Sequence, residues 1–443
     1  MDNRARPFLD DRQAANALAA TVPAFRDGPW EILSCRVAQT RRRISRRLLR
    51  EGGLWLAAVW QLEVRDNASG DRGEQWLYGR FYQGRPPVTE WAHEAASACS
   101  IPRFGRPVEW LPEDGLVLWA LPNDPVMSAL GAFLDPQALA AHLPPPLTPD
   151  AGTGVSAQVI RHEPEEHCTA RFRVIRDGRA FAFYGKCYAD GRWRDARDGL
   201  DVLWRQSERD PFAFAVGRPL GVSAGLGALW QAEVQGMPLA TELAGRHGGQ
   251  LIERLADALF RFQQAGPRQG RLETQAESVG LAGKWRKKLV LADASLADAA
   301  DSVVSLLSAP PLRASADVPV HGDFHVDQML WTGERIALFD YDNFAIGSPV
   351  RDLADCISQL LCRKDDGDWP ARAASLLSAY RSLAGDAFDD ADFEWHLRLM
   401  LMRKAYSFMV RARAGWRGDS ARALGLARTG SRALPPNSFE TTA

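Results

Sequence analysis

Hydrophobic and polar positions alternate loosely along residues 28–90, and this alternation predicts β-strands. The stretch WLAAVWQLEVRD is followed by a polar turn, NASGDRGE, and then by QWLYGRFY. Apolar residues such as Val59, Leu62 and Val64 give this region its strand-like pattern. A second strand-rich block begins near residue 155. Its segment CTARFRVIRDGRAFAFYGKCY places Arg-Asp-Gly at the turn of a hairpin.

From about residue 195 the spacing of apolar residues changes to that of helices. The stretch LIERLADALFRFQQAG places Leu251, Leu255 and Leu259 on one face. Another helix is expected from about residue 351, and WHLRLMLMRKAYSFMVRARAG predicts a long buried helix. A short helix at DPQALAAHL would begin at the N-cap residue Asp135. The predicted fold class is therefore α+β, with strands concentrated in the first half.

Changes in composition along the chain predict the domain boundaries. The stretch PPPLTPDAGTG at 144–154 is rich in Pro, Gly and Thr and predicts a linker. It would separate an N-terminal domain at 1–143 from a β-rich part at 155–235, which a helical part at 236–433 follows. Residues 434–443 begin with Leu-Pro-Pro and are expected to be a disordered tail.

The two strand-rich blocks contain one similar segment each. LYGRFY at 77–82 resembles FYGKCY at 183–188, and both segments end a predicted hairpin. Arg80 would then correspond to Lys186. These few identical residues are compatible with an internal duplication of the strand-rich block. They are equally compatible with a chance similarity.

Composition and charge exclude several classes of protein. The 443 residues are 46% hydrophobic, so a large core is possible, and the net charge of −1 provides no basic field for nucleic acid. No apolar run approaches the roughly 20 residues of a membrane span. The N-terminus carries charges where a signal peptide needs an apolar core. The six cysteines are scattered. We therefore expect a cytoplasmic protein with free thiols and neither nucleic-acid nor membrane partners, and the oligomeric state stays open.

The segment VHGDFHVDQMLWTGERIALFDYD at 320–342 concentrates polar groups between short apolar runs. Two strands joined by Thr332-Gly333 are expected here. Asp323 and Asp340 each follow an apolar lead, and the residues between them suffice for a loop, a hairpin and a return. Two carboxylates brought together repel each other, and a divalent cation relieves that repulsion. With Gln328 as a neutral oxygen donor, this arrangement is typical of phosphoryl transfer.

These residues resemble the aminoglycoside phosphotransferase and choline kinase family, which has a two-lobed protein-kinase-like fold. The resemblance lies in His-Gly-Asp, four residues, an amide, a hairpin and Phe-Asp-Tyr-Asp. The family motif has Asn where this chain has Gln328, as maltokinase-like members do. The resemblance implies that Asp323 is the catalytic base and that His321 shapes the loop. It also implies that Gln328 and Asp340 hold Mg²⁺ and that Asp342 binds a second metal or water.

By the same resemblance, residues 155–235 form the small lobe of a kinase and 236–433 the large, helical lobe. Lys186 would bind the α- and β-phosphates of ATP. Its carboxylate partner would be Asp198, Asp201 or Glu208, and the sequence does not choose between them.

The adenine and the phosphates would each meet a further segment of the small lobe. Glu233 and Val234 would form the hinge between the lobes, whose backbone binds adenine. The loop HEPEEHC at 162–168 would cover the phosphates. It is acidic and contains no glycine, so no backbone nest is predicted there.

The resemblance therefore implies a phosphotransferase that uses ATP and Mg²⁺ to phosphorylate a hydroxyl group of a small molecule, such as a sugar or an aminoglycoside. Aromatic side chains of the helical part could stack on a sugar or belong to the core: Trp285, Trp331, Trp369, Trp395 and Tyr406. The alternative is a pseudokinase-type module that binds nucleotide or ligand without catalysis, and a third interpretation is a carbohydrate-binding or scaffold protein. Residues 1–143 would be a cap over the small lobe or a partial repeat of it.

Overall fold

The computed structural model describes residues 3–84, 86, 99–150, 153–210, 214–245, 247–265, 270–311 and 317–436. The chain forms two compact units. The β-rich unit contains the residues up to Trp193 together with Leu220–Trp230 and Met409–Ala414. The helical unit contains Arg194–Pro219, Gln231–Phe408 and the residues from Gly415 onward. The predicted α+β class, with one β-rich and one helical part, is confirmed.

The first sheet of the β-rich unit has five strands in the order β1-β2-β3-β5-β4. These strands are β1 Trp30–Arg42, β2 Gly53–Asp66, β3 Arg72–Gln83, β4 Val108–Leu111 and β5 Leu116–Ala120. All four neighbouring pairs are antiparallel. Trp60 and Phe81 are fully buried on one face, and the indole of Trp60 donates to the Phe8 carbonyl at 2.7 Å. This face packs on the N-terminal 3-10 helix Asn3–Leu9 and on helix α1 Ala14–Thr21.

The second sheet repeats this strand order as β6-β7-β8-β10-β9. Its strands are β6 Val155–Glu163, β7 His167–Arg176, β8 Arg179–Tyr188, β9 Pro219–Ser223 and β10 Ala228–Ala232. The predicted β7–β8 hairpin is confirmed. Asp177 and Gly178 at its turn have φ of 52° and 68°, as a two-residue hairpin turn requires.

Short helices complete the β-rich unit. They are α2 Pro23–Arg26, α3 Arg46–Glu51, α4 Leu130–Leu134 and α5 Pro136–Ala140. The predicted cap of α5 is confirmed, because the Asp135 side chain accepts from the Gln137 amide at 2.8 Å. Phe133 of α4 stacks on Trp230 of β10 with the ring centroids 5.5 Å apart, so this helix belongs to the core of the second sheet.

The segment predicted as a linker is bound to the second sheet. Leu147 is fully buried, and the Asp150 carboxylate accepts from the backbone amides of Asp177 and Gly178 at 3.1 and 3.0 Å. Both β-rich segments thus lie in one compact unit. The domain boundaries given in the sequence analysis remain a prediction. Of the predicted tail, residues 437–443 lie outside the described part of the chain.

Nine described helices are assigned mainly to the helical unit. They are α6 Trp193–Arg209, α7 Leu239–Ala244, α8 Gly248–Ala265, α9 Gln275–Ala292, α10 Ala297–Leu307, α11 Arg351–Cys362, α12 Trp369–Ala384, α13 Asp390–Arg411 and α14 Trp416–Thr429. The predicted helices at 251–265, from 351 and at 395–415 correspond to α8, α11 and α13. Leu255 and Leu259 are fully buried on α8, as the apolar spacing predicts.

Five short strands of the helical unit surround the HGD and FDYD segments, which lie in loops. These strands are β11 Met237–Pro238, β12 Val318–Val320, β13 Met329–Trp331, β14 Ile336–Leu338 and β15 Ala345–Gly347. The predicted hairpin is confirmed, since Met329 pairs with Leu338 and Trp331 with Ile336. Strand β12 pairs with β15. The loops after β12 and β14 begin at His321 and Phe339.

Two further expectations concern the whole chain. All six cysteines are free thiols, as expected. Among the described residues, no helix combines the length and the apolar character that crossing a membrane requires.

Candidate active site

The HGD loop is joined to helix α11 by one buried carboxylate. Asp352 accepts from the backbone amides of His321 and Gly322 at 2.6 and 3.1 Å. Gly322 has a φ of 82°, and a Cβ there would lie 2.1 Å from the Asn343 carbonyl oxygen. Only glycine fits this position, so both the motif residue and its neighbour Asp352 fix the path of the loop.

His321 connects the HGD loop to the segment that follows β14. Its ring is buried, and Nε2 lies 2.9 Å from the Phe339 carbonyl oxygen. Because a carbonyl can only accept, Nε2 carries the proton of this hydrogen bond. Burial lowers the pKa of His321, so the ring is neutral at pH 7. Its position indicates a structural role beside Asp340.

Asp323 is surrounded by hydrogen-bond donors. Arg403 donates to Oδ1 at 2.8 Å, Gln328 Nε2 donates to Oδ2 at 3.1 Å, and His325 Nε2 lies 3.4 Å from Oδ2. Burial alone would raise the pKa of this carboxyl, but hydrogen bonding to His325 and the charge of Arg403 outweigh burial. The pKa of Asp323 is therefore held well below its usual range, and the carboxylate is ionised at neutral pH.

Gln328 links Asp323 to Asp340. Its Nε2 also donates to Asp340 Oδ2 at 3.2 Å, while its Oε1 is buried and has no hydrogen-bond partner among the described residues. Asp340 itself has a φ of 64°, a strained left-handed conformation that tends to occur at functional sites. Asp342 is half-buried two residues further on.

The donor set fits a hard divalent cation. Mg²⁺ prefers oxygen ligands and is commonly bound through one or two carboxylates. The unpartnered oxygen of Gln328 and the neighbouring carboxylate of Asp340 provide such ligands. Within the described ranges, no group of three or more His, Cys, Asp or Glu side chains is arranged to hold a metal.

Arg403 is a site residue that the sequence did not reveal. It lies on α13, and its second terminal nitrogen donates to Asp355 Oδ2 at 3.1 Å. Asp355 is fully buried on α11, with Lys404 Nζ 3.5 Å from its other oxygen. Two adjacent cations, Arg403 and Lys404, directly follow the apolar run at 399–402 and are the sequence signal for this contact. The long apolar pattern predicted burial of the helix but not the partner of its charges.

A cavity of about 450 Å³ lies beside Gly322 and Asp342 in the helical unit. Arg403 reaches its wall, and Trp285, Leu399 and Met400 form an apolar side. The Trp285 ring stacks on Tyr406 with the centroids 6.0 Å apart. Of the other predicted aromatic candidates, Trp369 and Trp395 are buried core residues. Trp285 is therefore the aromatic candidate that lines a cavity.

The predicted residues for the phosphates of ATP lie in the β-rich unit. Lys186 is on β8 opposite Thr169, with Nζ 5.4 Å from the ring centroid of Tyr188. The loop at 162–168 consists of the end of β6, a turn at 164–166 and the start of β7. Its middle residue, Glu165, has a φ of 69°.

The remaining candidates belong to the helical unit. Glu233 and Val234 are half-buried and directly follow β10. Asp198, Asp201 and Glu208 all lie on α6, where Asp198 pairs with its neighbour Arg197 at 2.6 Å. The structure thus brings together His321, Asp323, Gln328 and Asp340 around one loop, and the partner of Lys186 stays open.

Comparison with known proteins gives one family match. Residues 186–388 match the model described as "Phosphotransferase enzyme family". This match covers slightly less than half of the chain. No curated protein matches the chain.

Several solved structures are similar to this chain. A macrolide 2'-phosphotransferase, MphH, from Brachybacterium faecium is 19% identical with a TM-score of 0.44, covering 66% of this chain and 97% of that chain. A choline kinase from Cryptosporidium parvum Iowa II is 10% identical with a TM-score of 0.45, covering 66% and 92%. The amicoumacin kinase hAmiN, in complex with AMP-PNP, Ca²⁺ and Ami, is 15% identical with a TM-score of 0.44, covering 65% and 92%.

Proposed function

We propose that this chain, whose residues 186–388 match the model of the phosphotransferase enzyme family, uses ATP and Mg²⁺ to phosphorylate a hydroxyl group of a small molecule, such as a sugar or an aminoglycoside. The coarser prediction, a phosphotransferase that acts on a small molecule, is confirmed by the family match. The nucleotide, the metal and the acceptor are the proposal.

One observation supports the proposal most strongly. Gln328 donates one amide group to both Asp323 and Asp340, at 3.1 and 3.2 Å, while its buried oxygen has no partner among the described residues. An unsatisfied buried acceptor costs about 1–3 kcal/mol. Oxygen atoms of carboxylates and of an unpartnered amide on adjacent segments are the donors that a divalent cation prefers, and packing alone does not account for them.

Asp323 would act on the acceptor hydroxyl as the base. The hydroxyl oxygen attacks the γ-phosphorus, its bond to phosphorus forms while the bond to the ADP oxygen breaks, and its proton passes to Asp323. Since the pKa of Asp323 is held well below its usual range, this carboxylate is a weak base. It would therefore orient the hydroxyl first and take the proton late, as suits a loose phosphoryl-transfer transition state.

Gln328 and Asp340 would hold the metal, with Asp342 as a further oxygen ligand. Bound there, Mg²⁺ would neutralise the charge of the β- and γ-phosphates. Lys186, Glu233 and Val234 are the proposed ligands of the rest of the nucleotide. His321 would keep the HGD loop and the Asp340 segment in register through the Phe339 carbonyl.

A second candidate is a module that binds a ligand without transferring phosphate. The contacts of Gln328 are compatible with such a module, because the amide nitrogen donates to both carboxylates. Both candidates predict ligand binding, and only the kinase predicts turnover that depends on Asp323.

The deciding experiment measures phosphate transfer from γ-labelled ATP to a panel of sugars, aminoglycosides and water. We expect Asp323→Asn to lower turnover by at least roughly 10²-fold, the usual contribution of a positioned base, with ATP affinity unchanged. Asp327→Asn is the matched control, because Asp327 lies in the same loop but pairs with Arg363 at 2.6 Å. Full activity of Asp323→Asn would rule out the assigned base, and ATP binding without turnover in the wild type would favour the binding module.

A further inference from the structure

The acidic turn between β6 and β7 is held by an arginine of the first sheet. Arg80 lies 2.8 Å from Glu165 Oε2 and donates through Nε to Oε1 at 3.3 Å. The Tyr78 hydroxyl also donates to Oε1 of Glu165. The side chain of Arg80 is only 9% exposed, and its guanidinium lies 5.3 Å from the ring centroid of Trp119. This is a buried ion pair rather than a loose surface contact.

The neighbouring glutamates of the turn are held in the same way. Arg41 of β1 pairs with Glu166 at 2.5 Å, and Gln39 of β1 donates to Glu163. All three acidic side chains of this turn therefore meet polar groups of the first sheet.

The backbone of the turn is fixed as well. Asp124 accepts from the backbone amide of Glu165 at 3.0 Å and lies 3.2 Å from Nε2 of the buried His162. Glu165 has a φ of 69°, a left-handed conformation that is unfavourable for a non-glycine residue. The surrounding contacts must therefore hold the turn in this shape.

The groups that hold the turn share one face of the first sheet. Ala57 pairs with Arg41 on one side and with Arg80 on the other, and the next row on that face consists of Gln39, Val59 and Tyr78. The small residue Ala57 between two arginines leaves a cavity of about 280 Å³ that the turn's glutamates line. The face is thus complementary to the turn in charge.

Arg80 occupies the position in the first sheet that Lys186 occupies in the second. Both sheets have the same strand order, and both residues lie on the third strand in it. The preceding glycines are constrained alike, because a Cβ on Gly79 would lie 2.5 Å from Trp60 and one on Gly185 would lie 2.2 Å from Trp230. One structural position therefore carries a cation in each sheet.

The turn lies close to Lys186 along the second sheet. Lys186 pairs with Thr169, two residues after His167, the first residue of β7. At about 3.3 Å per residue, Glu166 is about 10 Å from that pair along the strand. Glu163 is paired with Arg161 of its own strand at 2.6 Å, so Glu165 and Glu166 are the glutamates that depend on the first sheet. Left uncompensated at this distance, these two carboxylates would repel a triphosphate bound by Lys186.

We propose that Arg80, with Arg41, is a positioning residue for the nucleotide: it neutralises the acidic β6–β7 turn and holds its glutamates against the first sheet, so that ATP can bind beside Lys186. The inference rests on the proposed function, because it requires ATP to be the ligand. This role of Arg80 and Arg41 would give the first sheet a function in nucleotide binding. It would also explain how a glycine-free, acidic loop is compatible with a phosphate site.

The test is calorimetric titration of the full chain with ATP and Mg²⁺, accompanied by melting curves. We expect Arg80→Ala to weaken ATP binding roughly tenfold, the scale of one uncompensated charge near an anion, and Arg41→Ala to weaken it less. The double variant Arg80→Ala/Glu165→Gln should recover most of the affinity, because it removes the charge that Arg80 no longer neutralises. The control is Arg65→Ala, eight residues from Ala57 along β2 and paired with Glu31, which should bind ATP like the wild type.

Each outcome has one meaning. Unchanged ATP affinity in both single variants would overturn the inference while leaving the proposed function intact. A double variant as weak as Arg80→Ala would show that the loss is structural and would overturn the electrostatic role. If Arg80→Ala does not fold, the exposed Arg41→Ala decides, since wild-type affinity in that variant contradicts the inference. A wild type that does not bind ATP would refute the proposed function, and the inference with it.

Discussion

Replacing Arg403 tests how the proposed base is held ionised. Arg403 is the bridge between α13 and the HGD loop, with one nitrogen 2.8 Å from Asp323 and the other 3.1 Å from Asp355. Arg403→Met keeps much of the side-chain length and removes the charge. Both carboxylates would then lose a charged donor at once.

The expected loss of stability follows from the burial of the three groups. Removing one partner of a fully buried ion pair costs about 3–5 kcal/mol. Here the side chain of Arg403 is 30% exposed and that of Asp323 21%. Lys404 and Arg351 also remain within 3.5 and 3.6 Å of Asp355. We therefore expect a decrease of about 2 kcal/mol in the free energy of unfolding, measured by urea titration.

The effect on activity has a definite sign with pH. The base must be ionised, and the charge of Arg403 helps to keep the pKa of Asp323 below its usual range. Without that charge the pKa of Asp323 should rise towards the ordinary Asp value of about 3.9, because hydrogen bonding to His325 is left to oppose burial, and kcat/KM should fall as the pH drops towards that value. The wild type should show no such decline over the same range. At pH 8 the variant should still lose about tenfold in kcat, because the base is no longer oriented.

Arg398→Met is the matched control on the same helix, since Arg398 pairs with Glu394 at 2.5 Å and does not touch the HGD loop. It should leave the pH profile unchanged. An Arg403→Met enzyme with wild-type kcat and no acidic decline would refute the reasoning.

Two further variants address the shape of the site. Gly322→Ala should lower the melting temperature and abolish turnover, because its Cβ would lie 2.1 Å from a backbone oxygen at a φ of 82°. The control is Gly333→Ala, which should retain turnover, because Gly333 has a φ of 96° but a Cβ there would meet nothing within 4 Å. Equal behaviour of the two glycines would contradict the close approach. Trp285→Ala should raise KM for the acceptor roughly tenfold and leave KM for ATP unchanged, since an aromatic contact contributes about 0.5–1.5 kcal/mol beyond its buried area. An unchanged acceptor KM would remove Trp285 from the acceptor site.

Local patterns in the sequence predicted the elements that carry the site. Asp177-Gly178 marks the β7–β8 hairpin because the turn needs positive φ at both residues. In the β13–β14 hairpin the connection is longer, and Gly333 has the positive φ, 96°. The spacing between Asp323 and Asp340 predicted a site with paired carboxylates. These features are readable because each depends on a few neighbouring residues.

Contacts between distant segments could not be predicted in this way. Arg403 meets Asp323 across 80 residues, and its position within an apolar helix indicated burial without naming a partner. Arg80 meets Glu165 across 85 residues. The similarity of LYGRFY to FYGKCY indicated that Arg80 and Lys186 occupy equivalent positions. It did not indicate that their roles differ, because the role of each cation depends on the groups of other segments that it contacts.

The most direct test of the central claim is ATP binding with and without Mg²⁺ by the wild type and by Asp340→Ala. The account predicts a rise in melting temperature with ATP that requires Mg²⁺ and disappears in Asp340→Ala, because only a ligand that binds the folded state shifts the transition. The control Asp365→Ala changes a carboxylate that pairs with Arg363 at 2.6 Å and should behave as the wild type does. A shift that is independent of Mg²⁺, or that survives in Asp340→Ala, would contradict a metal-dependent nucleotide site at Gln328 and Asp340.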